Sequence, residues 1–140
     1  MSKEELQLAY TILCDDVRLE AGNKLSYMGV FQNLILEQLP ASLLKFAVIN
    51  RWYGFGIHET EVRIIPPGSN EPIAASMPTK INLMQGGMGD NISFFVNTHF
   101  TEPGTYRIQV FANGTLFSEQ PLEVADVAMM NAGSVSDVIN

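Results

Sequence analysis

The stretch from Phe100 to Val124 restricts the fold more than any other part of the chain, because it reads as a complete β-hairpin. Tyr106, Ile108 and Val110 alternate with Arg107, Gln109 and Phe111, the period-two pattern of a strand with one buried face. Pro103-Gly104 turns the chain into this strand, and Ala112-Asn113-Gly114-Thr115 turns it out again. The length of that loop decides which side of the returning strand is buried. A two-residue Asn113-Gly114 turn pairs Val110 with Phe117 and aims Glu119 and Glu123 at the core, where unpaired carboxylates are costly. A three-residue loop, Ala112 to Gly114, pairs Val110 with Leu116, turns Leu122 and Val124 inward and leaves Phe117 beside Phe111 outside. The three-residue loop is therefore the expectation.

Similar alternation recurs along the chain. Leu6 to Cys14 reads as a first strand, followed by a charged patch, Asp15 to Glu20, and a turn at Gly22-Asn23-Lys24. Leu25 to Phe31 is a second strand, in which Gly29 marks a bulge or a close backbone approach. Leu34 to Leu36 is a short edge strand or an extended connection. Phe46 to Tyr53 is apolar on both sides, as a strand covered on both faces is, and Gly54-Phe55-Gly56 is expected to end it. His58 to Ile65 is amphipathic, with Val62 and Ile64 inward. Ile73 to Met77 and Ile81 to Met84 are weaker strands separated by Pro78, and Gln85 to Asp90 reads as a flexible loop. In Asn91 to Phe100 the alternation buries Ile92, Phe94, Val96 and Phe100. After Val124 a tail to Asn140 is either one short helix near Asp126 to Asn131 or flexible. Many short strands without an amphipathic helix predict one all-β domain over 1–124, an antiparallel sandwich of about seven to nine strands.

Charge and cysteine usage narrow the partners. Fifteen acidic against eight basic residues leave a formal charge of -7, which disfavours nucleic acid and anionic membrane surfaces. The opening Met1-Ser2-Lys3-Glu4-Glu5 lacks the basic region of a secretory signal, and the bulky Leu13 before Cys14 argues against a lipoprotein cleavage site. One cysteine forms no internal disulfide, as expected of a protein in the reducing cytoplasm.

No catalytic set assembles from these residues. His58 and His99 lie on different strands, and His58-Glu59-Thr60-Glu61 has no second histidine nearby, so no metal and no cofactor is expected. Cys14 shares the parity of Leu8 and Ile12 and is expected as a buried structural thiol. Gly54-Phe55-Gly56 and Gly86-Gly87-Met88-Gly89 lack the residues that complete a phosphate cradle. Two features remain. Asp15, Asp16, Arg18 and Lys24 flank one turn, either as a solvated strand end or as the polar rim of a binding surface. Phe95, Phe111 and Phe117 fall on the face opposite the core and form either a partner surface or an apolar strip covered by a loop or the tail.

Cys14-Asp15, Arg18, Lys24, Gly29-Val30-Phe31, the Pro103-Gly104-x-Tyr106 turn, Asn113-Gly114 and Pro121-Leu122-x-Val124 together resemble a bacterial family of uncharacterised domains. The resemblance covers the chain to about Val124 and implies an immunoglobulin-like β-sandwich. It implies no activity and transfers no functional residues, and the Cys, Trp, Cys spacing of true immunoglobulins is missing.

The expected function is a non-catalytic, self-associating interaction module. The alternative is a small-ligand site or enzyme at a sheet end, built from His58 or His99 with Asp15, Asp16 and Arg18. A third reading, a component of a larger assembly, would use an edge strand and the tail.

Overall fold

The computed structural model describes residues 6–132. They form eight strands and one short helix: β1 (Gln7–Glu20), β2 (Lys24–Phe31), β3 (Asn33–Leu36), β4 (Ala41–Ile65), β5 (Ala74–Ala75), β6 (Thr79–Phe100), β7 (Gly104–Ala112), β8 (Thr115–Asp126) and α1 (Val127–Ala132). The fold is all-β, and the strands join into a single curled sheet. Helix α1 falls on the stretch read as helix or flexible tail, and the rest of that tail, 133–140, lies outside the described residues. Among the described residues no helix is long and apolar enough to cross a membrane.

Two long strands organise the sheet. The first half of β4 pairs with β1 on one edge and with the second half of β6 on the other. Its second half pairs with β7 on one edge, and with the start of β6 and with β5 on the other. Beyond β1 lies β2, and beyond β7 lie β8 and β3. Leu13 of β1 and Phe46 of β4 share one buried cluster with Tyr106 of β7, Leu122 of β8 and Leu34 of β3. Residues so distant in strand order meet only because the sheet curls over itself around that core.

The strands depart from the simple pattern where the backbone leaves it. Gly54-Phe55-Gly56 does not end a strand: β4 continues through it with a register shift, and Gly56 takes a φ of +100° that a side chain would resist. The glycine-rich segment opposite, expected as a loop, is strand as well, with Gly87, Met88 and Gly89 paired to Gly54, Tyr53 and Trp52. Strand β1 runs on through the charged patch to Glu20, because β2 pairs with it over that length. Strand β3 pairs parallel to β8, so the sheet is mixed and not wholly antiparallel.

The hairpin turn also differs from expectation. Ala112 pairs with Thr115, which leaves a two-residue Asn113-Gly114 turn with φ of 53° and 81°, the signs of a type I′ turn. Phe111 pairs with Leu116 and Val110 with Ser118, so Phe117 is the extra residue of a bulge. That bulge resets the phase, and Leu122 and Val124 reach the core without burying Glu119 or Glu123.

Candidate functional site

Where side chains face follows from these irregularities. In β6, Asn97 has a φ of 54°, which interrupts alternation between Phe100 and Phe95. Thr98 and Phe100 are buried on one side of it, and Phe95, Ser93 and Asn91 on the other. Phe95 is 4% exposed and stacks on Phe46 with centroids 5.2 Å apart, so it is a core residue and not part of an outward surface. Phe94 and Val96, expected inside, are 47% and 63% exposed. The other two phenylalanines also separate. Phe111 is half-buried beneath the Arg63 guanidinium, 4.1 Å from its ring centre. Phe117, 41% exposed, meets Trp52 edge-on with centroids 5.2 Å apart. The three rings therefore form no common patch.

A different surface takes shape on the outer face of β2, β1, β4 and β6. Val30, Cys14, Ala47 and Phe94 stand in one cross-strand row. Cys14 and Ala47 are fully buried, while Val30 and Phe94 remain about half exposed at the flanks. Ile12, Ile49 and Ile92 form the next row, and Tyr10, Arg51 and Asp90 another. Directly opposed residues share a face at close spacing, so these rows stack into a continuous apolar and aromatic strip.

The polar groups of this strip are tied to one another. Arg51 donates through Nε and Nη2 to the two carboxylate oxygens of Asp90, at 2.8 Å and 2.9 Å. This bidentate pair holds the guanidinium above its usual range and fixes it 5.3 Å from the centre of the Tyr10 ring. The Tyr10 and Tyr27 hydroxyls lie 3.3 Å apart, and burial pushes the Tyr27 hydroxyl above its usual range. Lys45 meets Asp16 at 3.0 Å and also lies 5.0 Å over the Phe94 ring; its hydrogen bond holds the Asp16 carboxyl below the usual range. A concavity of about 500 Å³ opens here, walled by Tyr10, Tyr27 and Arg51 and closed by Lys24, Met88 and Asp90.

The expected polar rim is thus divided. Lys24 lines the concavity and Asp16 pairs with Lys45, whereas Arg18 lies opposite Ser26, an exposed position on the β1–β2 hairpin. Asp15 packs where a Gly29 side chain would stand: a Cβ there would lie 2.8 Å from the carboxyl carbon of Asp15, and Gly29 has a φ of +69°. Sequence reasoning assigned Arg51, Asp90, Tyr10 and Tyr27 no role. Their signal was the apolar character of Phe46 to Tyr53 on both faces, which marks a second covered surface.

The alternative site does not assemble. His58 bonds the Phe55 carbonyl through Nε2 at 2.8 Å and accepts from the Asn113 amide at Nδ1, 3.0 Å, tying the hairpin tip to the β4 bend. His99 lies across from Ser42 near the start of β4 and bonds its hydroxyl at 3.0 Å. Neither is hydrogen-bonded to Asp15, Asp16 or Arg18. Cys14 is buried and donates to the Asp16 carbonyl at 3.3 Å, and burial pushes its thiol above the usual range. Among the described residues no group of three or more His, Cys, Asp or Glu gathers as a metal site.

The fold is similar to domains inside much larger proteins. A β-glucosidase from Listeria innocua aligns over 89% of this chain and 16% of its own, with a TM-score of 0.53 and 14% identity. An alkylpurine DNA glycosylase, AlkC, from Pseudomonas fluorescens aligns over 86% and 30%, at 0.52 and 11% identity. A β-D-glucoside glucohydrolase from Trichoderma reesei aligns over 89% and 19%, at 0.50 and 16% identity. The chain spans less than a third of each, and at such identity the likeness concerns the fold alone. Curated proteins show no match. A family model, by contrast, matches residues 9–125, and the chain accordingly belongs to DUF6941, a family of unknown function.

Proposed function

We propose that the chain is a bacterial, cytoplasmic β-sandwich module of immunoglobulin-like type that binds protein without transforming it, and that its partner is a second copy of itself. The docking surface is the outer face of β2, β1, β4 and β6. The observation that carries this reading is the composition of that face. Tyr10, Tyr27, Tyr53, Arg51, Met88 and Phe94 gather there, with Val30 and Val96 exposed beside them. Aromatic residues, Met and Arg are the types enriched where protein surfaces meet.

Local charge pairing permits a second copy. A chain at -7 repels another as a whole, so contact needs a locally neutral area. On this face Asp16 is paired with Lys45 and Asp90 with Arg51, so these two carboxylates are compensated where two copies would meet. The edges at β2 and β3 suit the role less well. The Gly29 conformation distorts β2 and β3 is only four residues long, both of which discourage edge-to-edge pairing.

Sedimentation equilibrium at micromolar concentration tests the proposal. The protein is expected to dimerise, and Phe94→Glu, which adds a carboxylate to the contact, to be monomeric and still folded, with the circular dichroism spectrum of the wild type. A wild-type protein that stays monomeric throughout overturns it, as does a Phe94→Glu variant that dimerises normally.

A further inference from the structure

The inner face of β4 carries an irregularity that the docking surface does not explain. Phe46 and Val48 belong to the main core, and Trp52 belongs to a second cluster with Ile81, Leu83, Val110 and Ala112. Between them stands a polar row. Thr11, Asn50 and Asn91 are directly opposed across β1, β4 and β6, with Ser93 next along β6. Asn50 is fully buried and Asn91 and Ser93 nearly so. Thr11 donates to the Asn50 carbonyl oxygen at 2.6 Å, which fixes the amide with its nitrogen turned away from Thr11.

That nitrogen, Nδ2, and the Trp52 indole nitrogen, Nε1, are both buried donors that meet no acceptor among the described residues. A buried donor left unpaired carries its full desolvation penalty, and structures rarely tolerate one. Asn50 and Trp52 are two positions apart on one strand and face the same way, a spacing of about 7 Å along the backbone. A single oxygen at hydrogen-bond distance from each nitrogen spans about 6 Å at most, close to that backbone spacing.

We propose that an ordered water molecule is bound inside the curled sheet, accepting from Asn50 Nδ2 and Trp52 Nε1. Its own hydrogens go to acceptors of the same polar row, the Thr11 hydroxyl and the Asn91 amide carbonyl. Buried waters of this kind make about three hydrogen bonds and occupy polar niches, which this row supplies and the flanking apolar clusters do not.

The chain has one tryptophan, so its indole N–H gives a single unambiguous NMR signal. Water-selective NOE and ROE experiments on the intact protein test the site with bulk water as the probe. The expected result is a cross-peak from the Trp52 indole proton to water with the sign of a long-lived bound molecule. Asn50→Leu, which removes one of the two donors, should weaken that cross-peak at least several-fold. If Asn50→Leu fails to fold, Thr11→Val, which removes one of the water's acceptors and the hydrogen bond that orients the Asn50 amide, should weaken it as well. A folded wild-type protein whose indole proton shows no such cross-peak, or shows direct donation to the Asn50 side chain, overturns the proposal.

Discussion

Val48 and Ile49 are neighbours in β4 and both are fully buried, but by different means. Val48 faces inward and is covered by strands that the curl of the sheet brings opposite it, with Ile108 and Leu122 in the same cluster. Ile49 faces outward, where its cluster holds Cys14, Ala47, Tyr10, Val17, Tyr27 and Ile92, all from strands of the same side of the curl. Inward burial uses both faces of the contact. Outward burial comes from flanking side chains that lean over the buried residue, and their far sides stay partly exposed. Zero exposure at a residue therefore does not mean that the protein is finished above it.

The difference between the two faces has measurable consequences. The largest concerns truncation. Phe46→Ala removes a ring stacked on Phe95 and edge-on to Phe31, in a place where opposed strands hold the cavity open, and should cost about 3–5 kcal/mol. Ile49→Ala, at equal burial, should cost about 2 kcal/mol, because the covering side chains can close down. Equal losses in urea denaturation would remove the distinction between the faces.

A smaller effect is expected at the pair that orders the outer face. Asp90→Asn keeps the shape but removes the charge that binds Arg51 in two places, both groups being partly exposed, and should cost on the order of 1–2 kcal/mol. Thermal unfolding measures it, and the concavity beside Tyr10 should lose its fixed wall. The smallest effect is at Asp16, whose folded-state carboxyl titrates below its ordinary value because of Lys45. The pair's contribution is fully present above the ordinary carboxylate range and fades as pH falls through the lowered folded value. Lys45→Met should flatten that part of the stability profile without altering it at neutral pH by more than a small margin, as expected for an exposed pair.

Much of this was legible in the residues. The hairpin, the all-β class, the buried Cys14 and the doubly apolar Phe46 to Tyr53 all follow from alternation and composition. What period-two counting could not supply was the places where the backbone slips a residue. Asn97 exchanges the fates of Phe94 and Phe95, and the bulge at Phe117 lets a two-residue turn do what a three-residue loop seemed needed for. Gly54 and Gly56 look like a stop and act as a bend, because β6 is paired with β4 on both sides of them, across a register shift. The Arg51–Asp90 pair lay hidden for a related reason: its two members become neighbours only once β4 and β6 are in register.

The shared length of β4 and β6 has a mechanical meaning too. Both strands pass from one half of the curl into the other, paired to each other from Ala41 with Phe100 to Thr60 with Thr79. The halves are joined by this paired ribbon, whose register shifts at the Gly54–Gly56 bend. Separating the halves would expose the core they share, in which Phe46 and Val48 of one meet Ile108 and Leu122 of the other. The molecule is therefore built to unfold as one cooperative unit, and an outer face carried on such a spine stays rigid when something presses against it.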